Sequence, residues 1–81
     1  MMKRYDESKV IDIGYRIRKL REDRGYKREE LLQEFGMSYN VLFNIETSKS
    51  EPSLDLIVKF ANKFNVRLDF LITGKVVHND S

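Results

Sequence analysis

Asn40 and Asn44 stand four residues apart in the stretch SYNVLFNIETSKS, residues 38 to 50. At 100° per residue they share one face of a short helix, while Leu42 and Ile45 point the other way with Val41 and Glu46 beside them. A carboxamide carries both a donor and an acceptor, the combination that grips the edge of adenine in a major groove. Tyr39 and Phe43 fall on the shoulder between the two faces. From there Phe43 can touch a thymine methyl, grip a protein partner or close the edge of a core. The stretch is poor in positive charge: from Glu29 to Ser48 there are four acids and no base. Basic residues gather just upstream, seven between Arg16 and Arg28 against Glu22 and Asp23. Phosphate contacts supply affinity while base contacts supply sequence information, so the two can come from different elements. Lys27, Arg28 and Lys49 flank the polar face and suit the first task. Arg16, Arg18 and Lys19 read as a solvated face.

Other chemistry finds little support. The chain has no cysteine, so disulfides and thiolate metal sites are excluded. Its one histidine, His78, lies in a polar tail. No nucleophile–histidine pair, metal cluster or phosphate-binding glycine loop is visible, so no catalytic residues, cofactor or metal are expected. The start, MMKRYDESKV, lacks the apolar core of a secretory signal, and no apolar run approaches the ~18 residues of a membrane span. A cytoplasmic location without membrane contact is expected. Eighty-one residues leave little room for a second, ligand-sensing domain.

The elements that must position these residues are all helices. Residues 1–7 are polar and read as an arm. Ser8 can cap a first helix with Val10, Ile13, Ile17 and Leu20 at helical spacing, ended by Gly25. Arg28 to Phe35 predicts a second helix with Leu31 and Phe35 four apart. Gly36 and Met37 make a tight turn, and Ser38 caps the third helix, which runs to about Glu46. Thr47 to Pro52 is a loop. Pro52 and Ser53 open a fourth helix carrying Leu54, Ile57, Val58, Ala61 and Phe64. Leu68 to Ile72 is a short fifth helix stopped by Gly74, and residues 75–81 form a tail in which Val76 and Val77 can extend along a neighbour. Leu31, Phe35, Met37, Leu42 and Ile45 are the expected buried positions of the second and third helices. A tight helix–turn–helix with one polar face is the unit that enters a major groove.

At this spacing the sequence resembles the XRE family, the Cro/C1-type helix-turn-helix regulators that include the phage 434 and lambda repressors. The resemblance rests on IGYRIRKLREDRGYKREELLQEFGMS, then FNIETSKSEPSLDLIVKFANKFNV, then RLDFLITG, in that order. It implies a compact all-α, five-helix, lambda-repressor-like domain over residues 8–74. It also implies an ion pair between Arg21 and Glu46, agreeing with the helix wheel, which puts Glu46 near the buried side where a charge needs a partner. By the same resemblance Tyr39, Asn40 and Asn44 meet base edges or backbone. Ser38 and Arg28 lie where helix starts face phosphate, and Thr47, Ser48 and Lys49 match a phosphate-gripping loop. Leu68, Phe70, Leu71 and Ile72 match a region at or near a two-fold interface.

Three positions depart from the family pattern. Lys27 stands where a Ser or Thr usually caps the second helix, forfeiting about 1 kcal/mol. Leu32 replaces a small residue and is expected to spread the second and third helices. Phe43 replaces a polar residue. The expected function is sequence-specific binding of double-stranded DNA at an imperfect palindrome by a homodimer acting as a transcriptional repressor. The alternative is a protein-interaction module on the same scaffold, as in an antitoxin or anti-repressor. Restriction-modification controller proteins are a subclass of similar size.

Overall fold

A computed structural model describes residues 13–75, and the expectations for the arm, Ser8, Val10, Val76, Val77 and His78 lie outside them. Five helices and no strand occur among the described residues: α1 (Ile13–Asp23), α2 (Arg28–Phe35), α3 (Tyr39–Glu46), α4 (Leu54–Phe64) and α5 (Leu68–Thr73). Helices this short are marginal in water on propensity alone, below the roughly 12–15 residues an isolated helix needs. Packing must hold them. Each contributes to one core: Ile17 from α1, Leu31 from α2, Leu42 and Ile45 from α3, four residues of α4, and Leu71 from α5. Fully burying such a side chain contributes about 1.5–3 kcal/mol. Helix α1 is the hub, packing on α3, α4 and α5, while α2 packs on α3 and α4 on α5.

Local chemistry sets the boundaries. The Ser38 hydroxyl accepts a hydrogen bond from the Val41 N–H at 3.3 Å, and Ser53 accepts from Leu56 at 3.2 Å. Lys27 has no acceptor to offer, but the Glu30 carboxylate takes the Lys27 N–H at 2.8 Å and supplies half of a capping box. The first four helices share one stop. A residue in the left-handed conformation lets the next N–H reach back to the carbonyl five residues earlier: Tyr26 to Arg21, Met37 to Leu32, Lys49 to Asn44 and Val66 to Ala61. The left-handed residues are Gly25, Gly36, Ser48 and Asn65. Glycine and asparagine tolerate that conformation, whereas a serine there is strained, so Ser48 hides a helix stop that the sequence does not advertise.

Several sequence expectations are corrected. Phe35 and Met37 are only half-buried, and Val41 is exposed at the surface. In α4 the inward stripe is Ile57, Phe60, Ala61 and Phe64, with Leu54 and Val58 turned outward. Both sets fit an i, i+3, i+4, i+7 pattern, and the ring stack settles which one wins. Phe60 meets Phe35 edge-on at 5.0 Å and lies 5.9 Å from Phe64. Leu32 is half-buried and packs against the core. Arg16 is no solvated charge: it donates to the carbonyls of Leu71 (2.9 Å) and Ile72 (3.0 Å), binding α5 to α1 at the negative end of that helix. Leu71, expected at a dimer interface, is fully enclosed by the monomer.

Two further ties matter. The Lys63 ammonium binds the Glu34 carboxylate at 2.6 Å and lies 4.5 Å from the Tyr26 ring centre, joining α4 to α2. The hydrogen bond with Glu34 raises the Lys63 pKa above its usual 10.5. A raised lysine pKa contributes stability below about pH 10.5 that is lost only as pH climbs through the folded-state value. This tie is therefore constant across the neutral range.

The other is a contact without side chains. Gly14, in the first turn of α1, faces the last turn of α3 so closely that a Cβ would lie 1.7 Å from the Ile45 carbonyl oxygen. Helix propensity alone says that Gly14→Ala stabilises by about 1 kcal/mol. Overpacking against backbone costs about 1–3 kcal/mol or more. The expected result is a net loss of stability in urea unfolding, and a gain would show that α1 and α3 do not meet here.

Candidate nucleic-acid interface

The face of α3 that turns away from the core begins with Tyr39 and Asn40, both exposed, and continues to Phe43 and Asn44, both half-buried. Neither asparagine amide makes a hydrogen bond to another of the described residues. The backbone behind them is fixed. The Asn44 carbonyl receives the N–H of Lys49 at 2.8 Å and of Ser50 at 3.2 Å. Thr47 turns its hydroxyl back to the Phe43 carbonyl at 2.8 Å, so its side-chain hydrogen is spent on the helix end.

Beneath this face lies a buried charge cluster. Arg21 from α1 grips Glu46 with two nitrogens, Nε at 2.7 Å and a terminal nitrogen at 3.1 Å, and gives another hydrogen bond to the Tyr26 carbonyl at 3.1 Å. Arg28, the first residue of α2, donates its Nε to the same carboxylate at 3.0 Å. The Glu46 side chain is wholly buried, while that of Arg28 keeps 29% of its surface. Arg28 is thus anchored on one edge and open on the other. Its guanidinium also lies 5.7 Å from the centre of the Tyr39 ring and 5.9 Å from that of Phe43. The two rings stack at 5.8 Å with 17° between their planes. Phe43 therefore belongs to an aromatic–cationic cluster on the α3 surface. Its ring packs on Tyr39 with Arg28 and Lys49 beside it.

The structure brings Tyr39, Phe43, Arg28, Arg21, Glu46 and Lys49 into one contiguous group, with Asn40 and Asn44 beside it and their amides unbonded among the described residues. Ser38 and exposed Lys27 sit at the two helix starts on either side of the turn. Three features lie beyond sequence reading: the Arg28–Glu46 bond, the Gly14 contact and the strained Ser48. A glycine inside a helical pattern is the one available signal for the second of these.

A helix-turn-helix family model matches residues 17–71, from the core isoleucine of α1 to the core leucine of α5. The chain belongs to the XRE-type helix-turn-helix family. Its lambda-repressor-like fold is the all-helical arrangement described above. Among curated relatives, the chain is 29% identical over 62 residues to the HTH-type transcriptional regulator ImmR of Bacillus subtilis, covering 76% of this chain and 49% of that protein. It is 31% identical over 61 residues to the SPbeta prophage-derived regulator YonR of the same organism, covering 75% and 56%. An HTH-type transcriptional regulator of Archaeoglobus fulgidus is 38% identical over 56 residues, covering 69% and 80%. The chain thus spans about half the length of the two Bacillus relatives. No solved structure matches it significantly. No helix among the described residues is long and apolar enough to cross a membrane.

Removing one partner from a buried ion pair leaves an uncompensated charge and costs about 3–5 kcal/mol. Glu46→Ala leaves Arg21, which is 7% exposed, with only the Tyr26 carbonyl and the more distant Glu22 carboxylate at 3.9 Å. Its expected effect is a fall in Tm of at least about 10 °C. A shift of only a degree or two would mean that Arg21 reaches water once Glu46 is gone.

Proposed function

We propose that this chain is a sequence-specific double-stranded DNA-binding transcriptional regulator, acting as a repressor, with α3 in the major groove. The observation that carries the reading is the pair of amides on Asn40 and Asn44, unbonded among the described residues, set on a buried ion cluster and flanked by cations. Asn40 and Asn44 read adenine edges, and Tyr39 and Phe43 supply apolar contact at the same face. Lys27, Arg28, Ser38, Ser48 and Lys49 hold phosphates, while Thr47, its hydroxyl turned to the Phe43 carbonyl, closes the end of α3 instead. The affinity thus lies on the rim of a face that carries little positive charge of its own. The names of the relatives, all HTH-type transcriptional regulators, support this reading.

One module reads few bases, and pairing two raises affinity through effective concentration. In this reading the chain is a homodimer on an imperfect palindrome, paired through the α5 end. Ile72 is exposed, Leu68 and Phe70 are half-buried, and Leu54 and Val58 of α4 add outward apolar surface. Leu71 contributes from behind as core. A second reading, a protein-interaction module of antitoxin or anti-repressor type, draws on one observation: Tyr39 and Val41 of α3 are 49% and 44% exposed.

Selection from a random DNA pool separates the two. The regulator reading expects an enriched palindrome with half-sites about one helical turn apart. Asn44→Ala should then cost about 1–3 kcal/mol at its own base pair and little elsewhere. A pool that enriches nothing above background removes the regulator reading. For the dimer, Ile72→Asp should shift sedimentation toward the monomer without unfolding the chain. An unchanged sedimentation coefficient would move the interface elsewhere.

A further inference from the structure

Each of the first four helices ends with the same backbone stop, and the residue after the left-handed position commonly makes an apolar contact with the helix it has just left. Tyr26, Met37 and Val66 hold that place after α1, α2 and α4, and all three are half-buried against the core. After α3 the place belongs to Lys49, which is exposed. Its ammonium lies 5.6 Å from the centre of the Phe43 ring, six residues back, where the apolar contact would ordinarily fall. A ring attracts a cation at that range through its quadrupole. The contact requires Ser48 to hold a left-handed backbone at φ 64°. Among the described residues, no other group holds the Lys49 ammonium.

The same ring lies 5.9 Å from the Arg28 guanidinium, which also has Tyr39 and Glu46 to hold it. One aromatic side chain therefore meets a cation from the start of α2 and a cation from the loop after α3. Resting on the DNA-binding reading above, we propose that Phe43 is a positioning residue. In place of the apolar base contact read above, its ring fixes Lys49, and with Tyr39 steadies Arg28, as oriented phosphate ligands beside the recognition helix. A lysine held this way surrenders less freedom on binding than a solvated one.

A double-mutant cycle on a selected operator tests this, with binding followed as a function of salt. Phe43→Leu keeps the bulk and removes the ring. It should weaken operator and scrambled duplex by the same factor, about three- to fivefold. The slope of log affinity against log salt should stay as in the wild type for Phe43→Leu, because Lys49 keeps its charge, and should fall by about one unit for Lys49→Ala. Lys49→Ala should also weaken both duplexes alike. The Phe43→Leu loss should shrink by more than half in the Lys49→Ala background, with the remainder reflecting Arg28, and Phe43→Trp should restore the affinity. Additive losses overturn the proposal. So does a Phe43→Leu variant that relaxes preference at one base pair, which would make Phe43 a base reader. Should the leucine variant unfold, proton NMR of the wild-type chain decides: Lys49 methylene signals without an upfield ring-current shift refute the contact. If the wild-type chain selects no DNA at all, the regulator reading fails and this proposal with it. Wild-type binding without Phe43–Lys49 coupling removes the proposal alone.

Discussion

A single buried carboxylate holds this small protein in register. Glu46 is the last residue of α3, where the helix dipole is negative and a carboxylate is unwelcome. It is also wholly enclosed, where an unpaired charge is costly. Two arginines resolve both problems, Arg21 from the chain's first described helix and Arg28 from the start of the next. The end of α3 is therefore tied to α1 and α2 at one point. An apolar trio of similar volume can stabilise as well. The ionic version adds direction, because a bidentate fork accepts only a narrow range of approach. A second charge also remains at the surface beside the face that projects from the protein.

Most of this architecture is legible in the sequence, and what the sequence conceals has identifiable causes. Ser38, Ser53, Gly25, Gly36 and Gly74 announce helix ends because their side chains, or lack of one, suit specific backbone needs. The core of α3 follows from Leu42 and Ile45, whose spacing admits one solution. In α4 two stripes are equally periodic, and only the ring contacts among Phe35, Phe60 and Phe64 choose between them. Arg16 reads as a surface charge because its partners, carbonyl groups 55 and 56 residues away, leave no trace in side-chain patterning. Ser48 reads as a loop residue since serine is rare in the left-handed region. Leu71 and Ile72 are adjacent letters of one apolar run, yet one is core and the other surface.

The candidate site divides in the same way. The outward asparagines and the partnership of Arg21 with Glu46 can be reached from the wheel and the family resemblance. That Arg28 shares the same carboxylate cannot, because three helices must assemble before the three residues meet. Phe43 is ambiguous in sequence for a related reason. Its neighbours are a stacked tyrosine one turn back, an arginine from another helix and a lysine beyond a strained turn. No local pattern encodes such a group.

The contact of Gly14 with the Ile45 carbonyl has a consequence of a different kind. Where α1 seats α3, main chain rests on main chain, and the letters on the outer side of α3 take no part. Asn40 and Asn44 can thus be exchanged for other polar residues while the helix keeps its seat. The interior therefore sets no condition on which polar residues occupy those two positions, and the outer face of α3 varies independently of the packing that holds it.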